Sequence, residues 1–156
     1  MVAMDLAARW VTAPVDEPAA HDGQCGMHIE HVALQVADPV AMANWYVEHL
    51  GCSIARSTGG PAFIRFLKDA SGQAMIEIYN NPRVAVPDYR SMDVMLVHLA
   101  FYSDNPRADR DRLVAAGATI AEDHIVTPAG DEMLILRDPW DVPLQLVKRA
   151  EPMLAR

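Results

Sequence analysis

The sequence predicts an α+β fold of two tandem βαβββ modules, whose strands form a cupped eight-stranded mixed sheet with the helices outside. Three observations carry this. Asp38-Pro39 and Asn105-Pro106 lie 67 residues apart, and each pairs an N-capping side chain with a proline suited to the first helical position. Each is followed by a helical stretch that stops at a glycine, Gly51 or Gly117. The spacing then persists: His31 to His98 is 67 residues, Ile54 to Ile120 is 66 and Glu77 to Gln145 is 68. Offsets this constant, drifting by one residue across loops, mark an internal repeat. One such module has too little core to stand alone, so the two pack together.

Residues 1–27 have no sustained periodicity and are read as an N-terminal leader or arm, partly ordered. Leu6 and Trp10 share one face of a short helical stretch there, and Trp10 is a candidate for packing on a neighbouring subunit. The first module spans 28–80. Ile29 to Val36 alternates as a strand, and Val40, Ala43, Val47 and Leu50 recur at helical spacing. Strands follow at Cys52 to Ser57, Pro61 to Leu67 and Gln73 to Tyr79, with Asp69-Ala-Ser-Gly72 as the last turn. Residues 81–93, holding Pro82 and Pro87, form a linker. The second module spans 94–150. It has a strand from Val94 to Ser103, a helix to Ala116-Gly117, and strands at Ala118 to Val126, Glu132 to Arg137 and Val142 to Lys148. Asp138-Pro-Trp-Asp141 makes the last hairpin turn, where Asp141 tolerates a left-handed backbone better than most residues. Residues 151–156 are a tail.

Composition narrows the function. The 156-residue chain is 51% hydrophobic and 22% charged, enough for a real core. Thirteen Lys and Arg against 21 Asp and Glu give a net charge of −8, which excludes the basic stripe of a nucleic-acid binder. No run reaches the roughly 20 apolar residues of a membrane helix, and residues 1–27 lack the apolar region of a secretory signal. Cys25 and Cys52 suit neither a disulfide framework nor a zinc knuckle. The expectation is an acidic cytoplasmic protein acting on a small molecule, with no nucleic-acid or membrane partner. Exposed edge strands favour a homodimer.

Strand alternation sorts the faces. Val32, Leu34 and Val36 oppose His31, Ala33 and Gln35, while Ile76 and Ile78 oppose Glu77 and Tyr79. Leu99 and Phe101 oppose His98, Ala100 and Tyr102, and Leu144 and Leu146 oppose Gln145. One face of each strand is apolar and packs on a helix. The other carries one polar residue amid small or apolar ones: His31, Glu77, His98 or Gln145. A half-buried carboxylate is costly unless something compensates its charge. Two imidazoles, a carboxylate and an amide oxygen do so by holding one divalent metal per site. Mixed nitrogen and oxygen ligation with open positions suits iron, manganese, cobalt, nickel or zinc. A salt bridge from Glu77 to His31 or His98 is the simpler alternative.

These segments resemble the vicinal oxygen chelate superfamily, which includes glyoxalase I, methylmalonyl-CoA epimerase, extradiol dioxygenases and bleomycin-binding proteins. The resemblance covers residues 28 to about 150 and rests on Ile29-Glu-His-Val-Ala-Leu-Gln-Val36, Ala74-Met-Ile-Glu-Ile-Tyr-Asn80, Val97-His-Leu-Ala-Phe101 and Asp138-Pro-Trp-Asp-Val-Pro-Leu-Gln-Leu146. The second segment is most similar to glyoxalase I. The resemblance implies a cup in which a metal binds two vicinal oxygens of a substrate. It also implies a carboxylate that moves a proton while an enediolate or enolate is stabilised. It assigns metal ligation to His31, Glu77 and His98 by position, with Gln145 as the fourth candidate ligand. Glyoxalase I has a glutamate, a candidate base, where this chain has Gln145, and an amide cannot take that proton. The expected activity is therefore a glyoxalase-like lyase, isomerase or epimerase with Glu77 as the base. One alternative is a ligand-sequestering protein of the bleomycin-resistance kind, and a second is an Fe(II) dioxygenase of the extradiol kind. Gln35, Arg65, Tyr79 and Tyr102 are candidate substrate-binding residues. In this superfamily the cup closes within one chain or by exchange of modules between subunits, and both arrangements stay open.

Overall fold

The computed structural model describes residues 27–153. The helical stretch around Trp10 and the last three residues of the tail lie outside them. Ten elements follow the chain: β1 (Val32–Gln35), α1 (Pro39–Leu50), β2 (Ser53–Ser57), β3 (Arg65–Lys68), β4 (Met75–Tyr79), β5 (Leu99–Tyr102), α2 (Pro106–Ala115), β6 (Thr119–Val126), β7 (Glu132–Arg137) and β8 (Pro143–Lys148). The eight strands divide into two four-stranded mixed sheets, ordered β1-β4-β3-β2 and β5-β8-β7-β6. In each, the first and last strands of a module run parallel, and the remaining pairs are antiparallel.

The helix starts behave as their residues require. Asp38 accepts a hydrogen bond from the Ala41 N–H at 3.0 Å, and Asn105 accepts one from Ala108 at 3.2 Å. Helix α1 ends at Gly51, whose φ of +71° is the left-handed conformation glycine adopts without strain. Asp141 holds a φ of +65° in the β7–β8 turn.

Several strands are shorter than alternation suggests, and two of them show a local reason. Asp93 accepts hydrogen bonds from the N–H groups of Met95 and Leu96, which keeps the start of the 94–103 run in a turn. The Phe63 N–H bonds to the Gly59 carbonyl and Phe63 holds a φ of +47°, which keeps 59–63 in a turn, so β3 begins at Arg65. Strand β1 begins at Val32, leaving His31 just before its first paired residue, as His98 precedes β5.

Each helix packs on its own sheet, and one core joins the modules. Leu34, Leu67 and Ile78 from the first sheet share it with Leu134, Leu136, Leu144 and Leu146 from the second. Burying each such side chain stabilises the fold by about 1.5–3 kcal/mol. Helix α1 makes the join directional. The Trp45 indole N–H donates to the Ala116 carbonyl at 2.9 Å, the Tyr46 ring packs edge-on to Phe101, and the Tyr46 hydroxyl donates to Asp138 Oδ2 at 2.9 Å.

Asp138 is almost fully buried, and burial pushes its carboxyl up from 3.8 to about 6 despite the Tyr46 hydroxyl and two backbone donors, Trp140 and Val142. An acid whose folded value is raised binds its proton more tightly folded than unfolded. Stability therefore declines as pH rises from about 4 to about 6 and stays lower above, by about 3 kcal/mol at most. Asp138→Asn keeps an acceptor for the backbone donors and removes the charge. Denaturant midpoints from pH 4 to 7 are expected to lose that decline in the variant; an unchanged slope assigns it elsewhere.

Candidate metal and ligand site

The strand registers put the polar residues in rows. Ala33 pairs with Glu77 across β1–β4, so His31, two residues before Ala33, shares Glu77's face. Ala100 pairs with Gln145 across β5–β8, and His98 shares that face in the same way. The apolar partners, Leu34 with Ile78 and Phe101 with Leu146, point the other way, into the core.

The first pair is in contact. His31 Nε2 lies 3.2 Å from Glu77 Oε2, and the Glu77 side chain is only 18% exposed. On the other side of the ring, His31 Nδ1 is hydrogen-bonded to the Glu30 carboxylate. That hydrogen bond is the main reason the imidazole is held above its ordinary value, with the charges of Glu30 and Glu77 adding to it. A carboxylate on one ring nitrogen orients the imidazole and leaves Nε2 to face Glu77, as second partners of metal-bound histidines do. Two donors each about 2.1 Å from one ion, at a right angle, stand about 3 Å apart, so this pair fits neighbouring positions on a divalent ion. The surface beside it is an open depression of about 370 Å³, lined by His31, Phe66 and Met75.

The second pair lines a more enclosed cavity of about 230 Å³ with Met95, Ile125, Met133 and Ile135. His98 Nδ1 lies 3.3 Å from the Val94 carbonyl, and the Gln145 amide contacts the Met133 sulfur at 3.9 Å. Among the described residues, no group of three or more His, Cys, Asp or Glu side chains is placed to hold a metal ion. The four expected ligand positions thus occur in one chain as two pairs.

The other candidates are distributed as follows. Tyr79 is half-buried on the Glu77 face, and Tyr102 on the Gln145 face donates its hydroxyl to Asp104 at 2.6 Å. Gln35 shares the His31 face but is buried under the linker, its amide bonded to Asn81 O, Val84 O and Asn81 N–H. Arg65 pairs in register with Ile78, on the opposite face from Glu77, and its guanidinium is bonded to the carbonyls of Thr58, Phe63 and Ile64.

Sequence reasoning missed three charged residues on these faces. Glu30 is adjacent to His31 and was readable from that adjacency alone. Arg56 and Glu122 were hidden by bulges. In β2 and β6 the ladder skips a residue between Ile54 and Arg56 and between Ile120 and Glu122. A bulge turns the next side chain to the other face. Arg56 therefore pairs with Phe66, itself paired with Glu77, and Glu122 pairs with Ile135, itself paired with Gln145.

The comparisons agree with this architecture. A glyoxalase family protein from Enterococcus faecalis is 28% identical, with a TM-score of 0.61 over 78% of this chain and 97% of that one. An antibiotic binding protein from a Streptomyces species is 20% identical, with a TM-score of 0.57 over 80% of this chain and all of that one. A glyoxalase I variant from Zea mays is also 20% identical, with a TM-score of 0.61 over 78% of this chain and 45% of that one. At 20% identity the last two show the fold alone. No curated protein matches the sequence. Among the described residues, no helix is long and apolar enough to cross a membrane. Residues 28–146, which hold all four polar positions, match the family described as the Glyoxalase/Bleomycin resistance protein/Dioxygenase superfamily, and the chain belongs to it.

Proposed function

We propose that the protein is a glyoxalase-like, metal-dependent lyase, isomerase or epimerase whose site forms between two copies of the chain. The observation that carries this reading is the His31–Glu77 pair at 3.2 Å, facing outward on the sheet. His98 and Gln145 occupy the equivalent rows of the second module. Strands β1 and β5 are the outer edges of their sheets, with exposed apolar residues beside them: Val32 is 48% exposed and Leu96 72%. Pairing β1 of one copy with β5 of another covers both edges and makes one eight-stranded sheet. It also brings His31 and Glu77 against His98 and Gln145 of the second copy.

His31, Glu77 and His98 would hold the ion, with the Gln145 carbonyl as a fourth donor. When bound, the ion supplies positive charge to substrate oxygens and lowers the cost of removing a neighbouring C–H proton. Glu77 takes that proton and returns it. Glu30 keeps the His31 ring oriented while Glu77 moves. Gln145 neither takes nor gives a proton, which leaves Glu77 as the acid–base group. Elemental analysis of purified protein tests the reading: about one divalent ion per chain is expected from this ligand set. Absence of metal after reconstitution with nickel, cobalt, manganese, zinc and iron overturns it.

The apolar part of the second cavity's lining favours one further reading, sequestration of an organic ligand; the Streptomyces neighbour is an antibiotic binding protein. Metal-free protein that binds ligand supports this reading over the first.

A further inference from the structure

The β6 bulge brings Glu122 onto the wall of the cavity that also holds His98 and Gln145. Two other charged side chains line it, Asp123 and Arg149, and both have partners. Asp123 pairs with Arg110 at 2.9 Å, and Arg149 pairs with Asp131 at 2.7 Å. Glu122 is half-buried and has no hydrogen bond or ion pair among the described residues. The cavity it lines also holds the apolar side chains of Met95, Ile125, Met133 and Ile135. A cation or strong donor on a ligand would give this carboxylate the partner it lacks among the described residues.

The repeat sharpens the point. Both modules carry the bulge at the same place, which re-aims one side chain in each. The first module puts a cation there, Arg56, and the second an anion. The ladder runs Glu122, Ile135, Gln145, Ala100, so Glu122 stands two strands from Gln145. At about 4.8 Å per strand it lies about 10 Å away, too far to share a ligand atom with Gln145. It faces the body of a ligand that reaches His98 and Gln145 with its other end.

From this geometry we infer that Glu122 is a specificity-determining residue, and that the second-module cavity takes ligands with an apolar body and a cationic amine. The inference needs no metal, so its outcome is separable from the proposed enzymatic reading. Two probes with one indole body and opposite charge test it: tryptamine and indole-3-acetate, titrated calorimetrically into the full chain with chelator present. Wild type is expected to bind tryptamine about tenfold or more tightly than indole-3-acetate, the size of one charge-assisted hydrogen bond. Glu122→Gln, the same shape without charge, abolishes that preference, and Glu122→Lys reverses it. Thermal midpoints confirm that both variants fold. Equal binding of the two probes, binding of neither, or a preference that survives in Glu122→Gln overturns the inference.

Discussion

Mixing two metal-free variants, His31→Ala and His98→Ala, is expected to restore metal binding. Each variant alone loses one imidazole from every site, and a site left with one imidazole, a carboxylate and an amide holds a divalent ion weakly. If the site lies between copies, a mixed pair contains one site missing both histidines and one complete site. In the complete site, His31 and Glu77 come from the chain carrying His98→Ala, and His98 and Gln145 from the chain carrying His31→Ala. Random re-pairing after mild denaturation and refolding then restores metal to about a quarter of the wild-type sites. Sites closed within one chain give no restoration at any mixing ratio. The measurement is elemental analysis after gel filtration, which also reads the size of the assembly. The expectation rests on how the chain holds the four candidate ligands: two pairs on separate sheets, with no group of three His, Cys, Asp or Glu placed together among the described residues.

The same division explains what the sequence could and could not reveal. Periodicity and capping residues located both helices, because Asp38-Pro39 and Asn105-Pro106 act through bonds to residues three positions away. Alternation sorted β1, β4, β5 and β8 correctly, since each pairs in unbroken register with one apolar face in the core. Glu77 and Gln145 lie in β4 and β8, and His31 and His98 stand just before β1 and β5, so the faces these four residues occupy were legible in the sequence. In β2 and β6 alternation could not have sorted the faces, because a bulge is one extra residue whose only trace is the pairing itself. Arg56 and Glu122 were invisible for that reason. Arg65 has a different history. It alternates as a strand residue, but its face depends on pairing with Ile78, and its guanidinium is taken up by carbonyls of its own loop. The division of the strands into two sheets was equally beyond local pattern, since both edges, β1 and β5, look like any half-buried strand.

Glu77→Gln is expected to retain metal and lose proton transfer. Substituting an amide keeps the volume of a side chain that is 18% exposed and leaves a carbonyl oxygen near His31 Nε2, so the pair still offers two donors. What it removes is the only carboxylate among the four candidate ligand positions, Gln145 being an amide already. General-base catalysis by a positioned carboxylate contributes about 10²–10⁴-fold, and that is the expected fall in rate. The direct readout is exchange of a substrate C–H hydrogen with deuterated water, followed by NMR with hemithioacetal and 2-substituted thioester substrates. Glu30→Gln is the companion variant. Glu30 touches His31 and not Glu77, so its loss weakens the hold on the ring, with metal affinity falling about 10–100-fold while the rate of metal-saturated protein is kept. The two variants therefore separate ligand positioning from proton transfer. Exchange that survives in Glu77→Gln at full metal occupancy removes Glu77 as the base and moves the search to another carboxylate facing the cleft.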